Sequence, residues 1–300
     1  MRLRIGTRAS LLATTQTGRV AKALEARGNE CELVTISTLG DRVTDKPFEQ
    51  VGPPGVFVRE IETALLTGEI DLAVHSYKDL PTTSPDGLVI GAVAERLDAA
   101  DVLVVDKRSL VAVGQENLPL PECARVGTSS SRRSALLIDL RPDLEIVPIR
   151  GNVPTRLSKC REQDMAAIVL AASGLERLGG AAKKQLEGLH IQRLRPDLFV
   201  PAPSQGALAV QVREDSPALA AVAGLDRPLD HLSAQAERDV LKGLEGGCQT
   251  AIGAWLSWSD QQCTLYGVME HSGALHRSTA TGDRQQLPRM VAQVIEELAP

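Results

Sequence analysis

The sequence predicts an α/β protein: two lobes built on largely parallel sheets with a central cleft, followed by a small C-terminal α+β domain with an antiparallel sheet. Three observations predict it. Short apolar runs alternate with helically spaced segments over the first two thirds of the 300 residues, and the alternation restarts after Ala99-Ala100. From about residue 224 the pattern changes to a charged helix followed by strands of alternating polarity.

Taken in order, Leu3-Arg4-Ile5-Gly6 reads as a strand. A helix follows from about Ser10, with Leu11, Val20, Ala23 and Leu24 on its apolar face and a stop at Gly28. Glu32 to Ile36 is a strand, Val56 to Leu66 a helix and Ile70 to Val74 a strand. In the second lobe Asp101 to Val105 is a strand, and Ala124 to Gly127 leads into a helix near Ser131. Glu145 to Ile149 precedes a helix from about Asn152, and Ala166 to Ala171 is a buried strand. The segments near 95–101 and 196–206 read as crossings, after which Ala207 to Val212 returns to the first lobe as a strand. The expected boundaries are therefore 1–97 with 206–222 for the first lobe, 98–205 for the second, and 223–300 for the C-terminal domain. That domain holds a helix over Ser233 to Lys242, strands over Ala251 to Trp258, Cys263 to Met269 and Leu275 to Ala280, and a closing helix from Gln286.

Composition narrows the function classes. Hydrophobic content of 43% with 24% charged residues suits a globular chain able to bury a full core. Aromatic content of 2% and a net charge of -5 argue against nucleic acid as a partner. No apolar run is long enough to span a bilayer and the first residues lack a signal-peptide core, so no membrane partner and a cytoplasmic location are expected. Cys31, Cys123, Cys160, Cys248 and Cys263 show no C-x-x-C spacing, and the five histidines form no ligand motif. Neither a disulfide framework nor a metal is expected.

Four constellations carry chemistry. Leu244-Glu245-Gly246-Gly247-Cys248-Gln249 places Cys248 in a glycine turn just past a helix, where the sulfur can stay open; a buried small hydrophobe is the alternative. The other four cysteines read as packing residues in strands or helices. His75-Ser76-Tyr77-Lys78-Asp79-Leu80-Pro81 follows directly on a strand, at the carboxyl end where open α/β sheets bind ligands. A carboxylate beside a lysine there can stabilise a cation or move a proton, or it can be a solvated pair in a turn. Arg132, Arg133, Arg150 and Arg156 form a basic set, with Lys159 and Arg161 one turn on. No Gly-Lys-Ser/Thr occurs between Gly127 and Ser134, so a phosphate P-loop is excluded and a ligand with several carboxylates is the better match. Finally, Ile5-Gly6-Thr7-Arg8-Ala9-Ser10 echoes Val126-Gly127-Thr128-Ser129-Ser130-Ser131-Arg132-Arg133, a strand-Gly-Thr-basic-Ser plan that creates an anion-favouring helix start in each lobe, the two expected to face each other across the cleft.

Together these residues resemble the porphobilinogen deaminase (hydroxymethylbilane synthase) family of tetrapyrrole biosynthesis. The resemblance runs through Arg4 to Ser10, His75 to Pro81, Gly127 to Arg133, Arg150-Gly151-Asn152-Val153-Pro154-Thr155-Arg156-Leu157, Gln205-Gly206-Ala207 and Glu237-Arg238 on to Cys248. It implies two lobes like those of periplasmic binding proteins, plus a third domain carrying the cysteine. It implies a transferase that condenses four porphobilinogen molecules, with loss of ammonia, onto a dipyrromethane cofactor joined to Cys248 by a thioether. Asp79 and Lys78 would be catalytic. Ser76, Lys78, Asp79, Ser129, Arg132, Arg133 and Arg156 would bind the cofactor, and Arg8, Ser10, Gln16, Arg150 and Arg177 the incoming substrate. The small-molecule substrate porphobilinogen and a monomeric state are the expected partner and assembly.

Three positions depart from the family pattern. Pro53-Pro54-Gly55-Val56-Phe57 stands where Gly-Lys-Gly-Leu-Phe is usual, Ser204 where a glycine precedes Gln-Gly-Ala, and Ala251 where a proline follows Cys-Gln-x. Two other classes remain open on the residues alone: a two-lobed binding protein for an anionic solute, and a thiol acyl-transferase with a histidine near Cys248.

Overall fold

The computed structural model describes residues 1–38, 58–112, 118–244, 251–260 and 262–300. Pro53 to Phe57 and Cys248 lie outside the described residues. The chain divides into two compact units, Met1–Leu97 with Ser204–Cys248 and Asp98–Pro203 with Gln249–Pro300.

The first unit is built on β1 (Arg2–Thr7), β2 (Glu30–Thr35), β3 (Leu72–Ser76), β4 (Leu88–Arg96) and the returning strand β10 (Ala207–Arg213), in the order β2-β1-β3-β10-β4. β1 pairs in parallel with β2 and β3, while β10 runs antiparallel to both β3 and β4. Every strand except β10 therefore points the same way, and their carboxyl ends share one edge. The second unit repeats the order with β7 (Glu145–Val147), β6 (Arg125–Gly127), β8 (Ala167–Ala171), β5 (Asp101–Asp106) and β9 (Leu189–Arg193). Here β5, the strand just past the first crossing, is the antiparallel one. The α/β fold class and the return of Ala207 to Val212 to the first sheet are as the sequence predicts.

Helices cover both faces of the first sheet. Helix α1 (Leu11–Glu25) lays Val20, Ala21 and Leu24 on Leu3, Ile5, Leu72 and Val74, joined there by Ala218 and Val222 of α6 (Ala218–Ala223). On the opposite face α2 (Arg59–Leu66) packs Ile61, Ala64 and Leu65 against Ala73 and Leu88. Beside it α7 (Pro228–Gly243) sets Ala234 against Tyr77, Leu80, Ala207 and Ala209. In the second unit α3 (Ser131–Leu140) supplies Leu136 and Leu137 to a core with Leu103, Val105, Val126 and Val169. Helix α4 (Val153–Glu162) buries Leu157 and Cys160 and packs on β8, and α5 (Ala172–Leu178) follows directly on that strand.

The same second-unit core takes Val268, Trp255 and Tyr266 from the antiparallel sheet of β11 (Ile252–Ser259), β12 (Gln262–His271) and β13 (Ala274–Asp283). The other face of that sheet lies under α8 (Leu287–Leu298), which buries Leu287, Met290, Val294 and Leu298. A Cβ on Gly267 would stand 2.5 Å from Val294, so the helix can approach only because that residue has no side chain.

Two sequence expectations need correction. The helix placed from Val56 begins at Arg59, with Val58 at its N-cap. Cys123 is neither buried nor in a strand or helix: it sits exposed in a turn at φ 54°, its N–H donating to Asp143.

One ion pair ties the end of β4 and the turn before β10 to α7. Both Glu237 carboxylate oxygens accept from Arg96 Nη2 at 2.8 Å, and one also accepts from the Ser204 N–H at 2.7 Å. The Glu237 side chain is fully buried and that of Arg96 nearly so. Removing one partner of such a pair strands a buried charge, at a cost of about 3–5 kcal/mol. Ser204 is held there at φ 58°, a region that L-residues enter at a cost of about 1 kcal/mol and glycine enters freely. The departure from glycine at this position is thus a strained residue in a buried turn. Ser204→Gly is expected to raise the unfolding free energy by about 0.5–1 kcal/mol; denaturant unfolding of the two proteins checks it, and an unchanged or lower midpoint would show that the serine side chain outweighs the strain.

Candidate active site

Each unit gathers its predicted site residues at the carboxyl ends of neighbouring parallel strands. In the first, β1 ends at Thr7 and delivers Arg8 and Ser10, while its neighbour β3 ends at Ser76 and delivers Lys78 and Asp79. A Cβ on Gly6 would collide with the Ile70 side chain, which would have to shift to admit it. Ser10 caps α1, accepting from the Ala13 N–H at 3.3 Å, and Gln16 is buried nearly two turns on. Thr17 donates to Thr7 at 2.9 Å, pinning the helix start to the strand end.

Asp79 closes a single 3-10 turn, Tyr77–Asp79. The turn alternates in burial: Tyr77 and Leu80 plug into the core, Lys78 is half-buried and Asp79 is exposed. Lys78 Nζ donates to Oε1 of the fully buried Gln205 at 3.0 Å. Among the described residues the Asp79 carboxylate takes no hydrogen bond or ion pair, so it is available to a ligand. Behind the turn, Arg238 of α7 donates to the carbonyls of Tyr77 (3.1 Å), Leu80 (3.2 Å) and Pro81.

Three residues before Lys78, His75 is buried on β3 near Gln211 of β10, and Gln211 donates to Glu62 of α2 at 3.1 Å. Burial lowers the His75 pKa to about 4; Gln211 opposes the shift without forming a full hydrogen bond to Nε2. Burial also pushes the Glu62 carboxyl up, against the pull of Gln211 and Arg59.

In the second unit, β6, β7 and β8 end side by side and deliver Ser129 to Arg133, Arg150, and Arg177. Ser130 caps α3 through the Arg133 N–H and Asn152 caps α4 through the Thr155 N–H. Ser129 Oγ bonds both the N–H and the carbonyl of Ile149, each at 2.9 Å, which fixes the β6 loop to the residue before Arg150. Arg156 Nε donates to Gly151 O at 2.8 Å, and Arg177 is buried.

Arg132 and Arg133 are both buried and share one carboxylate. Arg132 Nη2 reaches Asp101 Oδ2 at 2.8 Å and Arg133 Nη2 reaches Asp101 Oδ1 at 2.7 Å. Their remaining Nη groups donate to the Val200 and Val169 carbonyls. Burial lowers the Arg132 pKa, with Asp101 opposing and Arg133 reinforcing the shift. Two guanidiniums on one carboxylate leave a surplus positive charge, and Arg133 Nε is buried without a partner among the described residues. Both features fit a ligand carboxylate.

Asp101, Gln205 and Arg238 escaped the sequence reading of the site. Asp101 carried a signal, a charged residue opening the apolar run Asp101 to Val105. Gln205 and Arg238 had none beyond lying in motifs of the family resemblance. Among the described residues no group of three or more His, Cys, Asp or Glu could hold a metal ion, and no helix is long and apolar enough to cross a membrane.

Residues 3–221 match the family model described as porphobilinogen deaminase, dipyromethane cofactor binding domain. A porphobilinogen deaminase of Moorella thermoacetica is 45% identical over 270 residues, covering 89% of this chain and 82% of its own length. One of Syntrophobacter fumaroxidans is 41% identical over 301 residues, covering 99% of this chain and 94% of its own. Among solved structures, the Bordetella pertussis BvgS periplasmic VFT2 domain aligns over 75% of this chain and 86% of its own at 13% identity, with a TM-score of 0.44, a likeness that carries no weight here.

The buried histidine has a measurable consequence. Its folded pKa lies near 4 against an ordinary 6.5, so below pH 6.5 the unfolded chain takes up a proton that the folded chain refuses. The stability tied to neutral His75 is therefore complete above pH 6.5 and lost as the pH falls to about 4, by roughly 3 kcal/mol. Glu62, shifted upward, works in the opposite sense. His75→Gln is expected to flatten the acid limb of stability against pH in unfolding titrations between pH 7 and 4.5, and an unchanged acid limb would contradict the assignment.

Proposed function

Because this chain belongs to the porphobilinogen deaminase family, we propose that Asp79 is its catalytic carboxylate and that Cys248 anchors the dipyrromethane through a thioether. The reaction is the stepwise head-to-tail condensation of four porphobilinogen molecules onto the covalently held dipyrromethane with loss of ammonia, then hydrolytic release of hydroxymethylbilane. When bound, the dipyrromethane supplies the pyrrole end onto which substrate rings are added.

The observation that carries the reading of Asp79 is its setting: an exposed carboxylate without a protein partner among the described residues, at the tip of a turn whose flanking residues are locked in the core. A carboxylate so placed accepts from pyrrole N–H groups and stabilises the cation left on the substrate when ammonia departs. Positive charge develops only along the reaction path, so the interaction favours the transition state over the ground state. Lys78, oriented by Gln205, adds a cation beside it for a ligand carboxylate.

For the cofactor, Arg132 and Arg133 are the strongest candidates, supported by their surplus charge and by the buried Arg133 Nε. Ser76, Ser129 and Arg156 belong to the same assignment. Arg8, Ser10 and Arg150 are assigned to the acetate and propionate of the incoming substrate because each lies just beyond a strand end of its unit, and Gln16 and Arg177 join them as buried residues of α1 and α5, the helices that follow those strands. A monomer that needs no metal and works in the cytoplasm completes the proposal, as does the division into 1–97 with 206–222, 98–205 and 223–300.

Two experiments test it. Purified protein is expected to show an intact mass above that of its sequence by two linked pyrrole units, the excess mapping to the Cys248 peptide, and to release ammonia from porphobilinogen with a product that cyclises to uroporphyrin. An unmodified Cys248 peptide in an active preparation would remove the anchor from this residue. Asp79→Ala is expected to keep part of its cofactor by the same mass measurement while turnover falls at least about 100-fold; near-normal turnover would sink the role given to Asp79.

A further inference from the structure

We infer that Arg238 is a positioning residue for catalysis, the group that fixes the Lys78-Asp79 turn from behind; the inference rests on the reading of Asp79 above. One guanidinium gathers three backbone acceptors of the same short segment, the carbonyls of Tyr77, Leu80 and Pro81. Its Cζ also lies 4.4 Å from the centroid of the Tyr77 ring, the side chain that plugs the turn into the core. Arg238 is 6% exposed, so these bonds form out of water, where each is stronger and its loss harder to replace with solvent.

The arrangement controls Asp79 in particular. Its carboxylate has no protein partner of its own among the described residues, so its position is set by the backbone that carries it. That backbone is a single 3-10 turn in which Leu80 N–H donates to Tyr77 O at 3.2 Å, and Tyr77 O also accepts from Arg238. Arg238 spans the turn from its first residue to the proline beyond its end, while Ala234, one helical turn earlier on α7, packs in the same core as Tyr77 and Leu80. Lysine cannot substitute: its ammonium has no plane to lie over the ring and no fork to span separated carbonyls.

Displacement of a catalytic group by about 1 Å costs on the order of 100-fold in rate. Arg238→Lys in the full-length, dipyrromethane-loaded enzyme is therefore expected to lower kcat about 10–100-fold, with KM for porphobilinogen within about threefold and the cofactor mass still present. The decisive readout is the pair with Asp79→Ala. If Arg238 acts through Asp79, adding Arg238→Lys to Asp79→Ala changes the residual turnover less than about twofold. Full multiplication of the two losses would overturn the inference in favour of a general structural role, as would an Arg238→Lys enzyme with wild-type kcat beside an inactive Asp79→Ala. An active Asp79→Ala enzyme would instead fell the reading of Asp79, and the inference with it. Should Arg238→Lys not fold, Arg238→Gln, which keeps an amide donor for the carbonyls, goes through the same cycle against the same outcomes.

Discussion

A buried guanidinium is tolerable only when its donors are met, and that constraint organises the strand ends of this protein. Arg96 is met by Glu237, Arg132 and Arg133 by Asp101, and Arg238 by three carbonyls of one turn. Three of these arginines lie at element ends, and Arg238 lies within α7 and reaches out to a strand end. Arg96 ends β4 and is held by α7; Arg132 and Arg133 open α3 and are held by the first residue of β5. The acceptors are thus drawn from segments far apart in sequence, and satisfying the arginines brings those segments into register.

The two units use this device differently. In the first, Arg96 is paired with Glu237 and Arg238 is met by backbone carbonyls, so these bonds serve the backbone and leave Asp79 exposed and without a partner among the described residues. In the second, one carboxylate serves two guanidiniums, and the buried Arg133 Nε has no partner among the described residues.

Helix α7 joins these themes in one stretch of chain. Consecutive residues Glu237 and Arg238 hold the end of β4 with the Ser204 turn and the Lys78-Asp79 turn respectively. The strained conformation of Ser204 lies in the same arrangement, at the turn whose N–H donates to Glu237.

By itself the sequence determined most of the elements and their order, while the strands Leu88–Arg96 and Leu189–Arg193 and the short helices Ala172–Leu178 and Ala218–Ala223 went unread. Period-2 and period-3.6 patterns are local, and so are the caps: Ser10 and Asn152 start their helices where hydroxyl and amide side chains meet free N–H groups. It also placed Lys78 and Asp79 at a strand end, because an apolar run followed by a polar turn is legible without knowing the neighbours. Only the tertiary structure decided which arginines are engaged by the protein and by what. Arg132 and Arg133 read as equivalents of Arg150 in a basic set, yet Asp101, 31 and 32 residues away, accepts from both. The acceptors of Arg238 lie 157 to 161 residues away. No local period encodes such meetings, because burial and partner choice depend on which distant segments pack together. The turn that presents Asp79 could be read from its own residues; what holds it still could not.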